Sequence, residues 1–354
     1  MAIKTKKVYG KHSRKYSGKH APKRTRGVYY TTGNPFELKP FQDWAKKINL
    51  KELEALEPFA GENHIITWLG KKCKSHKSYD IKPKAAETEK QDTLKKFPKG
   101  FKVCITNPPW LTNYSAKRHG LKFPKIKYDN IYKGALELAL DNCDYVGFII
   151  PGTFLTWAVL RSTPPKFTKR LDSVIFINSK LFTETDNPVC LALFTKEEVK
   201  DTRVYNDETP LGTLKKLKSH MPLPVKHGRN IVFNSDEGNL GLICIDNTKE
   251  ESIRFCPPSE IKRKNEKSGA IEARKMKISD RLLTKIKVDK KITKREIKIL
   301  NNELKKVRKK THDVFFAPFK GLRKDGKYRR RVDFIFVRNL INSCFPSTTI
   351  DDFS

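Results

Sequence analysis

Four consecutive residues, Asn107-Pro108-Pro109-Trp110, carry the most legible chemistry in this chain. Two prolines in succession fix φ and remove two N–H donors, so the segment presents carbonyl oxygens in a rigid shape between an amide and an aromatic ring. The Asn107 side-chain oxygen and the Pro108 carbonyl can each accept a hydrogen bond from a planar amino group, while Trp110 can stack on the heteroaromatic ring that bears it. The same residues would also serve an ordinary rigid turn. Upstream, Glu57-Pro58-Phe59-Ala60-Gly61-Glu62-Asn63 holds small residues that let a ligand approach the backbone. Asp80 follows Glu57 by 23 residues, close to the spacing at which a carboxylate grips ribose hydroxyls in dinucleotide folds. Singly, the first segment is as good a turn and Asp80 as good a capping carboxylate; their order and spacing favour the joint reading.

Such residues need strands that deliver them to one edge. Short apolar runs predict strands over 53–58, 74–80, 101–107, 145–151, 173–178 and 190–195. Amphipathic stretches predict helices over 65–71 and 131–141. From about residue 27 to 196 the alternation is that of βα units, which predicts an α/β domain with a mostly parallel sheet. In open sheets of this kind ligands bind beyond the carboxyl ends of the strands, where all three candidate segments fall. The polar run 196–210 predicts a boundary. Beyond it, Ile297, Leu300, Leu304 and Val307 repeat at helical spacing, with Thr293 and Glu296 set as a capping box. Residues 321–337 read as a strand pair turned at Asp325-Gly326.

Composition bounds the partners. The 354 residues suit two domains and carry a net charge of +35. Residues 260–331 hold 27 Lys or Arg against 9 acids, and the first 26 residues hold 10 with no acid. A near-balanced body thus lies between strongly basic regions, the pattern of a protein that meets a polyanion, nucleic acid first among candidates. The bland source of such an excess is a Lys-rich genome, which does not explain the clustering. Seven dispersed cysteines without a C-x-x-C pair argue against a disulfide framework or a zinc module and for a reducing, intracellular compartment. His64 and His76 are too isolated to bind metal, and Cys104 reads as core. No apolar run of about 18 residues exists, and the basic start lacks the apolar region of a secretory signal. The Glu-x-Lys triplets at Glu260 and Glu296 are attributable to chance in so Lys-rich a chain.

Over roughly residues 27–196 the sequence resembles adenine-specific (N6) DNA methyltransferases of the type II restriction-modification kind. The match is to the gamma order, in which the cofactor motif precedes the catalytic motif and target recognition comes last. Residues 57–61 resemble the S-adenosylmethionine loop, Asp80 the ribose acid, Asp92 the adenine-binding acid, and Asn107, Pro108, Pro109 and Trp110 the catalytic tetrad. Residues 129–132, 147–151 and 182–194 are similar to the later core motifs, and residues 27–32 to the segment closing over the methionine end of the cofactor. Two positions depart from the pattern. Asn63 stands where Gly is common, and tolerates a left-handed backbone; Trp110 stands where Tyr or Phe is commoner, and stacks at least as well.

The resemblance implies a Rossmann-like methyltransferase sheet with helices on both faces, followed by a C-terminal basic α+β target recognition domain. It divides the chain into a basic arm (1–26), a methyltransferase domain (27–200) and a DNA-binding domain (201–354). Thr31, Thr32, Glu57, Phe59, Ala60, Gly61, Asp80, Ile81, Asp92 and Asn107 would bind S-adenosylmethionine, with no metal. The target adenine would be flipped into the pocket, because its amino nitrogen cannot meet a methyl donor inside the stack. Arg323, Lys324, Arg329, Arg330 and Arg331 would mostly contact phosphates. The implied partner is double-stranded DNA, with a cognate endonuclease acting on the same site without a stable complex and no membrane. The implied location is the cytoplasm of a prokaryotic cell, or of a cell infected by a virus encoding the protein. An RNA adenine, a glutamine amide or cytosine N4 would also present a planar amino group, the compact glutamine enzymes fitting least with so large a C-terminal extension. Cytosine C5 chemistry is excluded by the lack of a Pro-Cys dipeptide. The rival from another class is a non-catalytic basic binding protein that keeps the fold but has lost cofactor affinity through Asn63.

Overall fold

Strands that pack on both faces must be apolar throughout, and the central runs of this sequence are. The computed structural model describes residues 34–178, 188–261 and 283–347. The expected basic arm, Thr31, Thr32 and positions 182–187 of the later-motif segment lie outside the described residues.

The chain runs through α1 (Lys39–Lys47), β1 (Glu54–Glu57), α2 (His64–Leu69), β2 (Ser75–Asp80), β3 (Glu89–Lys90), β4 (Val103–Thr106) and α3 (Asn113–Arg118). It continues through α4 (Ile131–Asn142), β5 (Tyr145–Pro151), α5 (Trp157–Ser162), α6 (Lys166–Lys169), β6 (Leu171–Ile177) and β7 (Val189–Phe194). The six strands and two helices expected from the sequence are all present. Next come β8 (Arg203–Asn206) and β9 (Thr209–Thr213), inside and just past the polar run expected to mark a boundary.

Among the described residues these strands form one nine-stranded sheet in the order β3-β2-β1-β4-β5-β7-β6-β8-β9. The pairings from β3 to β5 are parallel, whereas β7 runs antiparallel to both β5 and β6. The fold is α/β, a mostly parallel sheet with helices on both faces. Successive side chains point to opposite faces, and each face has its own core. Leu56, Cys104, Val146, Phe148 and Ile150 pack with Leu136 and Ala139 of α4 on one side. Ala55, Val103, Ile105 and Ile149 pack with Phe41 and Trp44 of α1 and Ile65 and Leu69 of α2 on the other. Cys104 is fully buried in the first of these.

The sheet does not stop at residue 200. β8 pairs parallel with β6 and β9 closes a hairpin on it, turning at Asp207 with φ 49°. Val204 is fully buried while Arg203 is exposed and Tyr205 and Asn206 half-buried, which is why the run reads as a loop in sequence. After α7 (Leu214–Lys218), the strands β10 (Ile231–Phe233), β11 (Leu240–Ile243), β12 (Arg254–Cys256) and β13 (Leu283–Val288) form a second, antiparallel sheet in the order β10-β13-β11-β12.

Helix α8 (Lys294–Thr311) begins at the expected capping box: Glu296 N–H donates to Thr293 Oγ1 at 3.2 Å and Thr293 N–H to Glu296 Oε2 at 2.8 Å. Its Leu300, Leu304 and Val307 are buried. The expected hairpin at Gly326 joins β14 (Ala317–Leu322) to β15 (Tyr328–Arg331). The expected second strand to residue 337 is corrected: it ends at Arg331, and Phe334–Cys344 is a helix, α9. Asp333 starts that helix by accepting from the amides of Ile335 and Phe336 at 2.9 and 2.8 Å, and Phe336, Val337, Leu340 and Ile341 are its buried stripe. The core of this C-terminal part is continuous with that on the α4 side of the large sheet, and Trp157 of α5 meets Phe315 edge-on at 6.3 Å.

Candidate active site

The central strands β1 and β4 send the chain in opposite directions, to β2 on one side and β5 on the other. The crevice beyond their carboxyl ends is therefore a topological switch point. Glu57 ends β1 and Thr106 ends β4, and the Thr106 hydroxyl donates to Glu57 Oε1. The Phe59 amide donates to the same oxygen at 2.9 Å. Glu57 is fully buried, and its Oε2 makes no hydrogen bond among the described residues. Burial, reinforced by the charge of Asp80 and opposed by the two hydrogen bonds, pushes the carboxyl up to about 8.

The loop after β1 is folded onto the ends of its neighbours. Ala60 N–H donates to Tyr79 O at 2.9 Å, and the Thr93 hydroxyl to Pro58 O at 2.8 Å. Gly61 has φ 57°, and its amide donates to Asp80 Oδ2 at 2.9 Å; the other Asp80 oxygen accepts from Lys82 N–H at 2.7 Å. Asp80 thus clamps two loops, while the remaining lone pairs of its carboxylate can accept from a ligand. Asn63 takes the left-handed conformation its type allows, φ 65°, and its side-chain amide donates to Glu87 at 2.7 Å. Ile81 is 59% exposed at the end of β2, an apolar surface beside the loop. Asp92 is partly exposed, pairs with Lys95 at 3.1 Å, and adjoins the Thr93 that ties its segment to Pro58.

The residues after β4 are held just as firmly. Pro108 is buried, and Asn107, Pro109 and Trp110 are half-buried. The Trp110 ring packs at the junction of the cores on the two sheet faces. Beyond it, Ile131 N–H donates to Leu111 O at 3.0 Å and Asn113 N–H to Asp129 O at 2.8 Å. The 129–132 segment is thereby stitched to the chain leaving the Asn-Pro-Pro-Trp turn. The 147–151 segment is β5, paired with β7 next to it.

The basic hairpin behaves differently from its sequence expectation. Arg323 is 4% exposed and bonds Asp246 at 3.2 Å and Asp325 at 2.7 Å. Arg329 donates to Asp246 O at 2.6 Å and lies over Phe319, and the Arg330 guanidinium reaches Phe316 O at 3.5 Å. Arg323 is thereby structural rather than free for phosphates; of the other four, Arg329 and Arg330 are half-buried and Lys324 and Arg331 exposed. Asp246, fully buried, also takes a two-pronged bond from Arg308 at 2.9 and 2.8 Å. Sequence reading missed this cluster, since no local spacing links its members. The outward cations sit instead on α8, where Lys294, Arg295, Lys298, Lys305, Lys309 and Lys310 share the exposed face and none pairs with an acid among the described residues. Among those residues no three His, Cys, Asp or Glu side chains gather to hold a metal, and no helix is long and apolar enough to cross a membrane.

No protein-family model matches the sequence, and no curated protein matches it. Solved structures do match. The methyltransferase subunit of a type I restriction-modification system from Streptococcus thermophilus aligns over 56% of this chain and 49% of its own, at 12% identity and a TM-score of 0.35. The M protein of the type I restriction enzyme EcoKI aligns over 56% and 50%, at 13% identity and a TM-score of 0.36. A DrdV–DNA complex aligns over 54% and 28%, at 12% identity and a TM-score of 0.43. The chain spans about half the length of the two type I subunits.

Proposed function

We propose that this chain transfers a methyl group from S-adenosylmethionine to N6 of an adenine flipped out of a short double-stranded DNA sequence, as the modification half of a type II restriction-modification pair of the gamma order. One observation carries the reading. The Asn107-Pro108-Pro109-Trp110 turn leaves β4 at the switch point, beside the buried Glu57 that ends β1.

In this reading Glu57, Phe59, Ala60, Gly61, Asp80, Ile81 and Asp92, together with Thr31 and Thr32, hold the cofactor, and Asn107 borders it. The residues fit such a group. The buried Glu57 Oε2 suits a donor or a cation, the loop at Gly61 lets a ligand approach the backbone, and Ile81 offers apolar surface to a ring. Bound there, the cofactor supplies a methyl group on a positively charged sulfur.

The chain's own residues then act on the target. Asn107 Oδ1 and the Pro108 carbonyl accept from the amino group, which draws its lone pair out of conjugation with the ring. Trp110 holds the ring by stacking. Fixing both partners in line supplies most of the rate through proximity and electrostatics. Residues from about 201 onward carry target recognition, with phosphate contacts on the exposed face of α8.

Expressing the protein in a host lacking DNA methylation and mapping modified bases by direct long-read sequencing tests the proposal. N6-methyladenine at one short motif is the expected result. An unmodified genome from cells holding soluble, folded protein would overturn it, and would favour an RNA adenine or a non-catalytic binding protein on this fold.

A further inference from the structure

The segment that follows the catalytic turn is a built lip. Leu111 and Ala116 are buried with Ile131 of α4 in a satellite core, against which Leu94, Leu121, Phe123 and Ile126 pack. Ile126 sits so close to Gly134 of α4 that a Cβ there would meet its Cδ1 at 3.1 Å. Thr112 bridges to Asn130 and caps α3 by accepting from Ser115 N–H at 3.1 Å. On this fixed base Tyr114 stands 77% exposed, four residues from Trp110. Lys117 and Arg118, three and four residues on in the same helix, and Lys122 and Lys125 further along the segment are exposed, and none pairs with an acid among the described residues. A large aromatic ring left in water on a helix packed over this satellite core, in a segment with four exposed and unneutralised cations, has no role in packing. It does match the requirements of a nucleic-acid strand, whose bases stack on aromatic faces while its phosphates seek positive charge.

We infer that the 111–130 lip is a nucleic-acid contact surface in which Tyr114 stacks on an unstacked base next to the catalytic turn while Lys117, Arg118, Lys122 and Lys125 take the flanking phosphates. The inference rests on the proposed function for its choice of partner, and deepens it by naming where the strand lies beside the target base.

The test uses the full chain with mixed-sequence oligonucleotides, a single strand and a duplex with one unpaired base, measuring affinity by fluorescence anisotropy and methyl transfer in parallel. Tyr114→Ala is expected to weaken binding to both roughly 5- to 150-fold. Tyr114→Phe, which keeps the ring, is expected to bind within about 2-fold of the parent, stacking being a property of the π-face. Lys117→Ala with Arg118→Ala should flatten the salt dependence. Binding by Tyr114→Ala that equals the parent on both probes, or no binding by the parent, overturns the inference. Methyl transfer separates it from the function: a parent that binds through Tyr114 without methylating defeats only the proposed function. A parent that methylates while Tyr114→Ala binds and methylates equally defeats only the lip.

Discussion

The Thr106 hydroxyl donates to the Glu57 carboxyl across the carboxyl ends of β4 and β1, so the two strands flanking the switch point are joined by a buried side-chain hydrogen bond. A carboxyl buried there has two states with different uses. Protonated, it is tolerated in buried surroundings; ionised, it is the natural partner of a cationic ligand.

A pH dependence follows. The Glu57 pKa is raised by folding from 4.5 to about 8, so the folded protein binds the extra proton between those values and the unfolded chain does not. Its contribution to stability is fully present below about 4.5 and is lost as pH rises through about 8. Glu57→Gln should flatten this fall, by an amount on the order of a few kcal/mol, in urea titrations of the ligand-free protein. Parallel curves for parent and variant would show that the carboxyl ionises freely. Calorimetry of S-adenosylmethionine binding in two buffers of different ionisation enthalpy should also reveal proton release below pH 8 in the parent, absent from the variant.

In the proposed reaction Asn107→Ala removes the side-chain acceptor offered to the amino group just beyond β4. Methyl transfer should fall at least 10²-fold, the usual cost of losing one charge-organising hydrogen bond in an active site. Affinity for DNA should be unchanged. A variant as active as the parent would remove Asn107 from the chemistry.

Asp246 is the hub of the C-terminal part: Arg308, Arg323 and the amides of Ser252, Ile253 and Arg330 all donate to its carboxylate. Burial alone would raise this carboxyl, but the Arg308 hydrogen bonds and charge, with the Ser252 and Ile253 amides, outweigh it and hold the pKa below the usual range. Its stabilisation is present above the ordinary carboxylate pKa and is lost as pH falls through the lowered one. Asp246→Ala leaves Arg308 buried and partly uncompensated, so about 3–5 kcal/mol of stability should go, measured by denaturant unfolding at neutral pH. A loss under about 1 kcal/mol would mean that Asp313 and Glu251 suffice to hold the two arginines.

The half of the chain that carries the candidate site was legible because its strands are short, doubly buried and followed by turn residues. Val103, Cys104 and Ile105 running into Asn107-Pro108-Pro109 announce both a strand and its end. What stayed hidden depends on contacts distant in sequence. Phe233 of β10 pairs with Ile286 of β13, and Asp246 meets Arg308 and Arg323, with no periodicity to signal either. Arg323 reads as a surface cation because charge in sequence does not reveal burial. Asp80 showed the spacing of a ligand carboxylate, yet its bond to the Gly61 amide depends on a loop shape that composition does not encode. Tyr114 gave no signal at all, since an aromatic in a helix is ordinarily core.

That distinction between buried and exposed cations can be measured in salt. Each phosphate that a variant no longer neutralises lowers the slope of log affinity against log salt by about 0.9 for duplex DNA. Removing Lys298, Lys305 and Lys309 together by alanine substitution should therefore flatten the slope while leaving the thermal midpoint in place, because all three are exposed and unpaired with acids among the described residues. Arg323→Ala should do the reverse, lowering the midpoint by removing the bonds to Asp246 and Asp325 while leaving the slope of the folded protein near the parent value. Anisotropy titrations at several salt concentrations, with melting curves on the same samples, decide the matter. An unchanged slope in the triple variant would move the phosphate-binding face off α8, and a flattened slope for folded Arg323→Ala would return it to the hairpin.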